Sequence, residues 1–183
     1  MFLKKWIDSP WFWLLAVAAL FGLPLSRALV RDQPIFPPVI RRIDFAMHSA
    51  EGKPLGADEL GGKVWVAGVF DLSHETMSSL TMKKLEHKMR KLAEAFHLVS
   101  LSMDPPERLH AYAVGVKLNP RRCTFAIGTA DEIAAARKTL GLDDTPDVSL
   151  ALVDQRGQLR GVYKMPEGFD QLVYDAAVLV NGY

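Results

Sequence analysis

Cysteine is almost absent: Cys123 stands alone in 183 residues. An intrachain disulfide, a four-cysteine zinc site and a two-cysteine redox centre are therefore excluded. An excess of either charge is missing too, with 22 basic and 21 acidic residues and a formal net charge of +1. No face collects Lys and Arg as nucleic acid would require, so no nucleic-acid partner is expected. Internal repeats and low-complexity tracts are also lacking. What the chain has in quantity is apolar side chain, 49% of its residues, which suffices for a packed core.

The compartment is read from the N-terminus. Lys4 and Lys5 precede SPWFWLLAVAALFGLPLS, residues 9–26, a run without charge. A helix of that length spans roughly 27 Å, close to the roughly 30 Å hydrocarbon core of a bilayer. Trp11 and Trp13 stand where an interfacial belt forms. Residues 1–30 read as an uncleaved single-pass anchor, one N-terminal transmembrane helix. A cleaved signal peptide is the alternative, but no clean A-x-A site follows and the apolar run is long for one. Arg27 and Arg31 dilute the positive-inside bias. The expected orientation still places the protein in the cell inner membrane with its soluble domain on the periplasmic side. Residues 31–42, RDQPIFPPVIRR, hold three prolines and are expected to form a stiff spacer that lifts the domain off the membrane. The domain itself is expected over 43–183.

Within that domain, IDFAMHSAEGKPLGADEL predicts a short hairpin turning at Glu51-Gly52. KVWVAGVF (63–70), HLVSLSMD (97–104) and VSLALVD (148–154) are continuous apolar runs of the kind that form buried strands. RCTFAIG is a further strand candidate, and QLRGVYKM pairs with the strand before it through a QRG turn. Between 76 and 96, Leu80, Leu85, Met89, Leu92 and Phe96 recur at helical steps. PPERLHAYAVGV begins a helix at Pro105-Pro106. ADEIAAARKTLGL is a helix with acidic residues first, basic ones late and Gly141 as its stop. PEGFDQLVYDAAVLVNG is a terminal helix. A strand–helix–strand unit over 63–104 implies a right-handed parallel crossover, and the last two strands form an antiparallel hairpin. The predicted class is α/β, a thioredoxin-like mixed sheet flanked by helices.

Taken in order, GGKVWVAGVF, LVSLSMDPPERLHAYA and LALVDQRGQLRGVY resemble the SCO/SenC family, thioredoxin-fold copper chaperones of cytochrome c oxidase assembly held to a membrane by one N-terminal helix. The resemblance covers about residues 40–175. It implies a pathway in respiratory oxidase or copper-protein assembly, with an oxidase subunit or a copper protein as partner. The family's chemistry rests on a C-x-x-x-C motif after the first strand and a distant His. Here the two cysteines fall at Ser73 and Met77, in FDLSHETMSS, and the His falls near Pro146. All three expected ligands are replaced.

Those replacements decide what the loop can do. Disulfide exchange needs a thiolate and a second sulfur to resolve the intermediate; Ser73 supplies neither. Cys123, in RRCTF, is flanked by Arg121 and Arg122, which would lower its pKa and allow a thiol enzyme if it were exposed; the expected role is a small buried hydrophobe. Cu(I) accepts thioether and imidazole ligands. His74 and Met77 are the candidates for such a site, set against a reading in which His74 is solvated and Met77, Met82 and Met89 pack the core. No cofactor is the expectation, with Cu(I) the one possible ligand. Asp71, Ser73 and His74 hold the residue types of a hydrolase triad without its G-x-S-x-G elbow. Thr145-Pro146 stands where such folds place a cis-proline facing the loop. Ser73, His74, Met77 and Pro146 are thus the candidate partner- or peptide-binding residues, and the protein is expected to be non-catalytic. Two bland readings complete the set. MKKLEHKMRK is a solvated helix face with Glu86–Arg90 and Lys83–Glu86 pairs, and Asp104-Pro105-Pro106-Glu107 is a helix start with a negative charge near its N-terminus, not a metal site.

Overall fold

Six consecutive residues with apolar or glycine side chains, VWVAGV, form strand β4 (Val64–Val69), buried on both faces. Such a strand must lie inside a sheet and be covered on both sides. It pairs in parallel with β5 (Phe96–Ser102) and antiparallel with β7 (Ser149–Val153). The computed structural model describes residues 10, 11, 14, 20, 35–56, 58–72, 75–90, 95–142 and 148–182, and for 75–80 the backbone alone. The remaining strands are β1 (Arg41–Arg42), β2 (Ala46–Ser49), β3 (Pro54–Gly56), β6 (Cys123–Ile127) and β8 (Gln158–Lys164). The helices are α1 (Glu75–Met89), α2 (Pro106–Gly115), α3 (Ala130–Leu140) and α4 (Phe169–Asn181). One sheet runs in the order β1-β8-β7-β4-β5-β6-β2-β3. The parallel crossover and the closing β7–β8 hairpin are as the sequence predicts. The early hairpin, with Gly52 at φ 76° in its turn, adds to the far edge beside β6.

Side-chain alternation sorts the core into two layers. One face carries Val64, Val66, Leu98, Leu150 and Leu152 against α1, α2 and α4. The other carries Trp65, Ala67, Val99, Leu101 and Val153 against α3 and the N-terminal hairpin. On α1, Met82, Leu85 and Met89 are buried while Lys83, Lys84, His87 and Lys88 are exposed, so the expected wet face is there. Its ion pairs are not the expected ones. Glu86 accepts from Arg122 at 2.6 Å, both side chains being largely sheltered. A half-buried partner on another element outweighs exposed neighbours on the same helix. Phe96, predicted as the last apolar step of the helix, is instead the first residue of β5, opposite Val64. An apolar residue buried in either element leaves the same trace in a sequence.

Residues 35–183 form a compact unit of their own, so the folded part begins within the predicted spacer. Pro37 is buried and its carbonyl accepts from Arg160 Nη1 at 2.9 Å. The Ile40 amide donates to Leu159 O at 2.8 Å, and β1 follows on β8. Arg160 in turn holds Asp154, which is 1% exposed, through Nε at 2.8 Å. The other Asp154 oxygen takes the Arg156 and Gln158 amides of the hairpin turn. One buried ion pair therefore joins the entering chain to the β7–β8 turn. Of the N-terminal unit, Met1–Pro34, Trp11, Leu14 and Leu20 are described and exposed. Among the described residues no helix is long and apolar enough to cross a membrane; the predicted anchor falls almost wholly outside them.

Two predictions follow from this packing. Replacing Arg160 by Met strips the cation from a buried carboxylate, and chemical denaturation of residues 35–183 should show a loss of roughly 3–5 kcal/mol; a change near zero would remove the pair's structural role. The second concerns His97, 6% exposed, whose Nε2 lies 2.8 Å from Thr124 Oγ1. Burial first, and the Lys63 charge second, lower its pKa from 6.5 to about 4, against a smaller opposing contribution from the Arg121 backbone. Between those values the unfolded chain binds the proton and the folded chain does not. Stability should therefore fall as pH drops from 6.5 towards 4, with up to about 1.4 kcal/mol per pH unit from this group. His97→Gln should flatten that part of the pH dependence; parallel curves for the two proteins would refute the assignment.

Candidate functional site

The chain leaves the sheet at the end of β4, where the Phe70 amide donates to Leu101 O at 2.7 Å. Asp71 and Leu72 follow, and α1 begins at Glu75. Met77 lies in the first turn of that helix; its side chain, together with Ser73, His74 and Pro146, lies outside the described residues. The Asp71–Ser73–His74 combination falls with them. What the structure describes is the frame. Leu150 pairs with Gly68, so the chain entering β7 and the chain leaving β4 meet at one end of the sheet. That is the end at which the predicted loop and the segment preceding β7 belong.

Asp104 fastens this frame. Its Oδ2 accepts the Leu72 amide at 2.9 Å and the Ser102 hydroxyl at 3.1 Å, while Ser102 Oγ accepts the Asp104 amide at 3.1 Å. Arg108 approaches Oδ1 at 3.6 Å. The predicted helix start is in place: the N-cap of α2 is Pro105, and Glu107 is the acid of its first turn. Asp104 has a further role, because a carboxylate that takes a backbone N–H across two loops ties them together. The Ser-x-Asp spacing just after a buried strand was the available signal.

Met82, Met89 and Cys123 are occupied elsewhere. Met82 is buried and accepts from Ser100 Oγ at 3.7 Å. The void beside it, below the loop, holds only about 10 Å³, about one water at most. Met89 is 1% exposed in the core. Both side chains take the packing role, and neither is available to a ligand at the loop. Cys123 opposes Leu98 in the ladder, and Leu98 opposes Val66. It therefore lies two strands across from β4 and below the level at which the loop departs. Its thiol is buried, and burial first, then Glu86, push its pKa up to about 12, outweighing the lowering by Arg122. The flanking arginines do not activate it. Among the described residues no group of three or more His, Cys, Asp or Glu side chains is placed to hold a metal.

If Asp104 is the tie, Asp104→Ala should free the Leu72 amide. Amide exchange at Leu72 should then rise by an order of magnitude or more, while exchange in the β4–β5 ladder stays unchanged, corresponding to a hydrogen bond of about 1.5–3 kcal/mol. Equal protection in both proteins would show that the loop is held by something else.

Comparison with known proteins extends the geometry. No family model matches the sequence, and no curated protein matches it. Solved structures do. BsSco, a member of the Sco family of cytochrome c oxidase assembly proteins in which a disulfide switch was identified, superposes with TM-score 0.68 at 20% identity, over 82% of this chain and 99% of its own. A SCO1/SenC family lipoprotein from Bacillus anthracis superposes with TM-score 0.65 at 22% identity, over 80% of this chain and 100% of its own. ScoI of Arabidopsis thaliana, solved with copper bound, superposes with TM-score 0.62 at 16% identity, over 78% of this chain and 99% of its own. The chain has a mixed α/β, thioredoxin-like fold, and its structural neighbours are the Sco/SenC proteins.

Proposed function

We propose that this chain is a membrane-anchored Sco-like protein on the extracytoplasmic side of the inner membrane, without catalytic activity. It acts by binding a protein partner in the assembly of cytochrome oxidase or another copper protein. The anchor is the uncharged run 9–26, and the likeness to proteins named for oxidase assembly, one of them a lipoprotein, supports the pathway and the place.

The observation that carries the reading is the position of sulfur. The one cysteine of the chain is buried, protonated at neutral pH and remote from the end of β4, while positions 73 and 77 hold Ser and Met. A loop so built can grip a segment of another protein through backbone and side-chain contacts. It cannot pass electrons to a disulfide. Thiol chemistry through Cys123 is opposed by the same burial.

Copper as cargo is the reading to be separated from this one. His74 and Met77 are two of the ligand types Cu(I) accepts. Titration of the protein with Cu(I) against a competing chelator separates the two. The proposal predicts no stoichiometric uptake, and no difference between the native protein and Met77→Ala. Uptake of one equivalent that disappears in Met77→Ala would replace the binding protein with a carrier.

A further inference from the structure

Residues 35–40, IFPPVI, contain no polar side chain, and only Pro37 is buried. Ile35, Phe36, Val39 and Ile40 are 84%, 40%, 49% and 55% exposed. A monomer in water rarely displays four large apolar side chains in six residues. The ribbon is nonetheless fixed to the domain. Arg160 holds the Pro37 carbonyl, Leu159 takes the Ile40 amide, and the Phe36 ring lies against Gly182 at the end of α4. A stiff spacer standing off the domain would make none of these contacts.

Two further features say what covers it. Basic residues bracket the ribbon, Arg31 before it, with Asp32 beside it, and Arg41 and Arg42 after; Arg42 is exposed, while the Arg41 guanidinium donates to the Lys138 and Thr139 carbonyls at the end of α3. An apolar stretch between cations is the composition of segments that settle into the headgroup boundary of a bilayer. The uncharged run ending at residue 26 is also close. Residues 27–34 can reach at most roughly 30 Å when extended, so a membrane that held that run would lie within reach of the ribbon. We infer that residues 35–40 form a lipid-facing edge by which the domain rests on its own membrane. This rests on the anchoring proposed above.

The sheet register then orients the molecule. β1 pairs with Gln158 and Leu159, Leu159 opposes Val153, and Val153 opposes Trp65 near the start of β4. The candidate loop departs beyond Val69, roughly 13 Å further along the strand at the usual rise per residue. With the ribbon on lipid, the mouth formed by the β4 and β7 ends points away from the bilayer, towards partners in the aqueous space.

The test places one spin label at a time on the full chain in the Cys123→Ala background, at Val39→Cys or at Met103→Cys. Met103 is 64% exposed and follows β5 at the loop end of the sheet. The protein is reconstituted into vesicles containing phosphatidylglycerol, and collision with oxygen is compared with collision with a water-soluble nickel chelate. The inference predicts a several-fold higher oxygen-to-nickel ratio at position 39 than at 103. Equal ratios, or the reverse order, would overturn it. Spin–spin broadening at position 39 that vanishes on dilution with unlabelled chain would assign the ribbon to a second copy and likewise overturn it. Flotation of the chain with the vesicles is scored separately. Failure there removes the anchor and with it this inference, whereas flotation with an aqueous label at 39 leaves the anchor and removes only the lipid-facing edge.

Discussion

Strand β4 has no polar side chain on either face, and the rest of the domain follows from the need to cover both. Its parallel neighbour β5 can be reached only by a crossover, which α1 supplies on one face. Its antiparallel neighbour β7 returns the chain to the same end of the sheet from which β4 departs. Helices α1, α2 and α4 close one layer, and α3 with the N-terminal hairpin closes the other. Loops are thereby pushed to the sheet ends, and the end of β4 lies beside the start of β7. Several polar side chains in this frame tie segments together. Asp154 with Arg160 secures the entering chain, Asp104 secures the loop, and the Thr129–Glu132 capping box starts α3.

Much of this was legible in the residues. Continuous apolar runs marked β4, β5 and β7, Pro105-Pro106 marked the start of α2, and Gly141, with φ 73°, marked the end of α3. What escaped was long-range. RDQPIFPPVIRR reads as linker because prolines and arginines dominate it, yet Pro37 and Ile40 are held by Arg160 and Leu159, more than a hundred residues away. Glu86 has plausible partners on its own helix and takes Arg122 instead. Asp104 stands just before a helix start, as the sequence shows, but nothing local shows that it takes the Leu72 amide. A sequence pattern reports neighbours within a turn or two of helix; it carries no trace of which distant backbone group a carboxylate will find. At the candidate site, the missing sulfur could be read directly. The geometry of Ser73, His74 and Pro146 lies outside the described residues.

Chemically, the domain combines a retained frame with an altered loop. The structures most like it include a protein with a disulfide switch and one with copper bound. Here the lone cysteine lies out of reach of the mouth, and burial raises its pKa. Serine at 73 and methionine at 77 leave the loop without a thiol for disulfide exchange. The proposed role, holding a partner without reducing it, asks no such thiol of the loop.

The most direct test of that account restores the sulfur. Ser73→Cys with Met77→Cys, in the Cys123→Ala background, should yield an intraloop disulfide under mild oxidant, reducible and detectable by mass, because two thiols four residues apart in one loop supply the attacking and resolving sulfurs that Ser73 and Met77 lack. Two thiols that remain reduced in an intact fold would contradict the claim that only sulfur is missing from this loop.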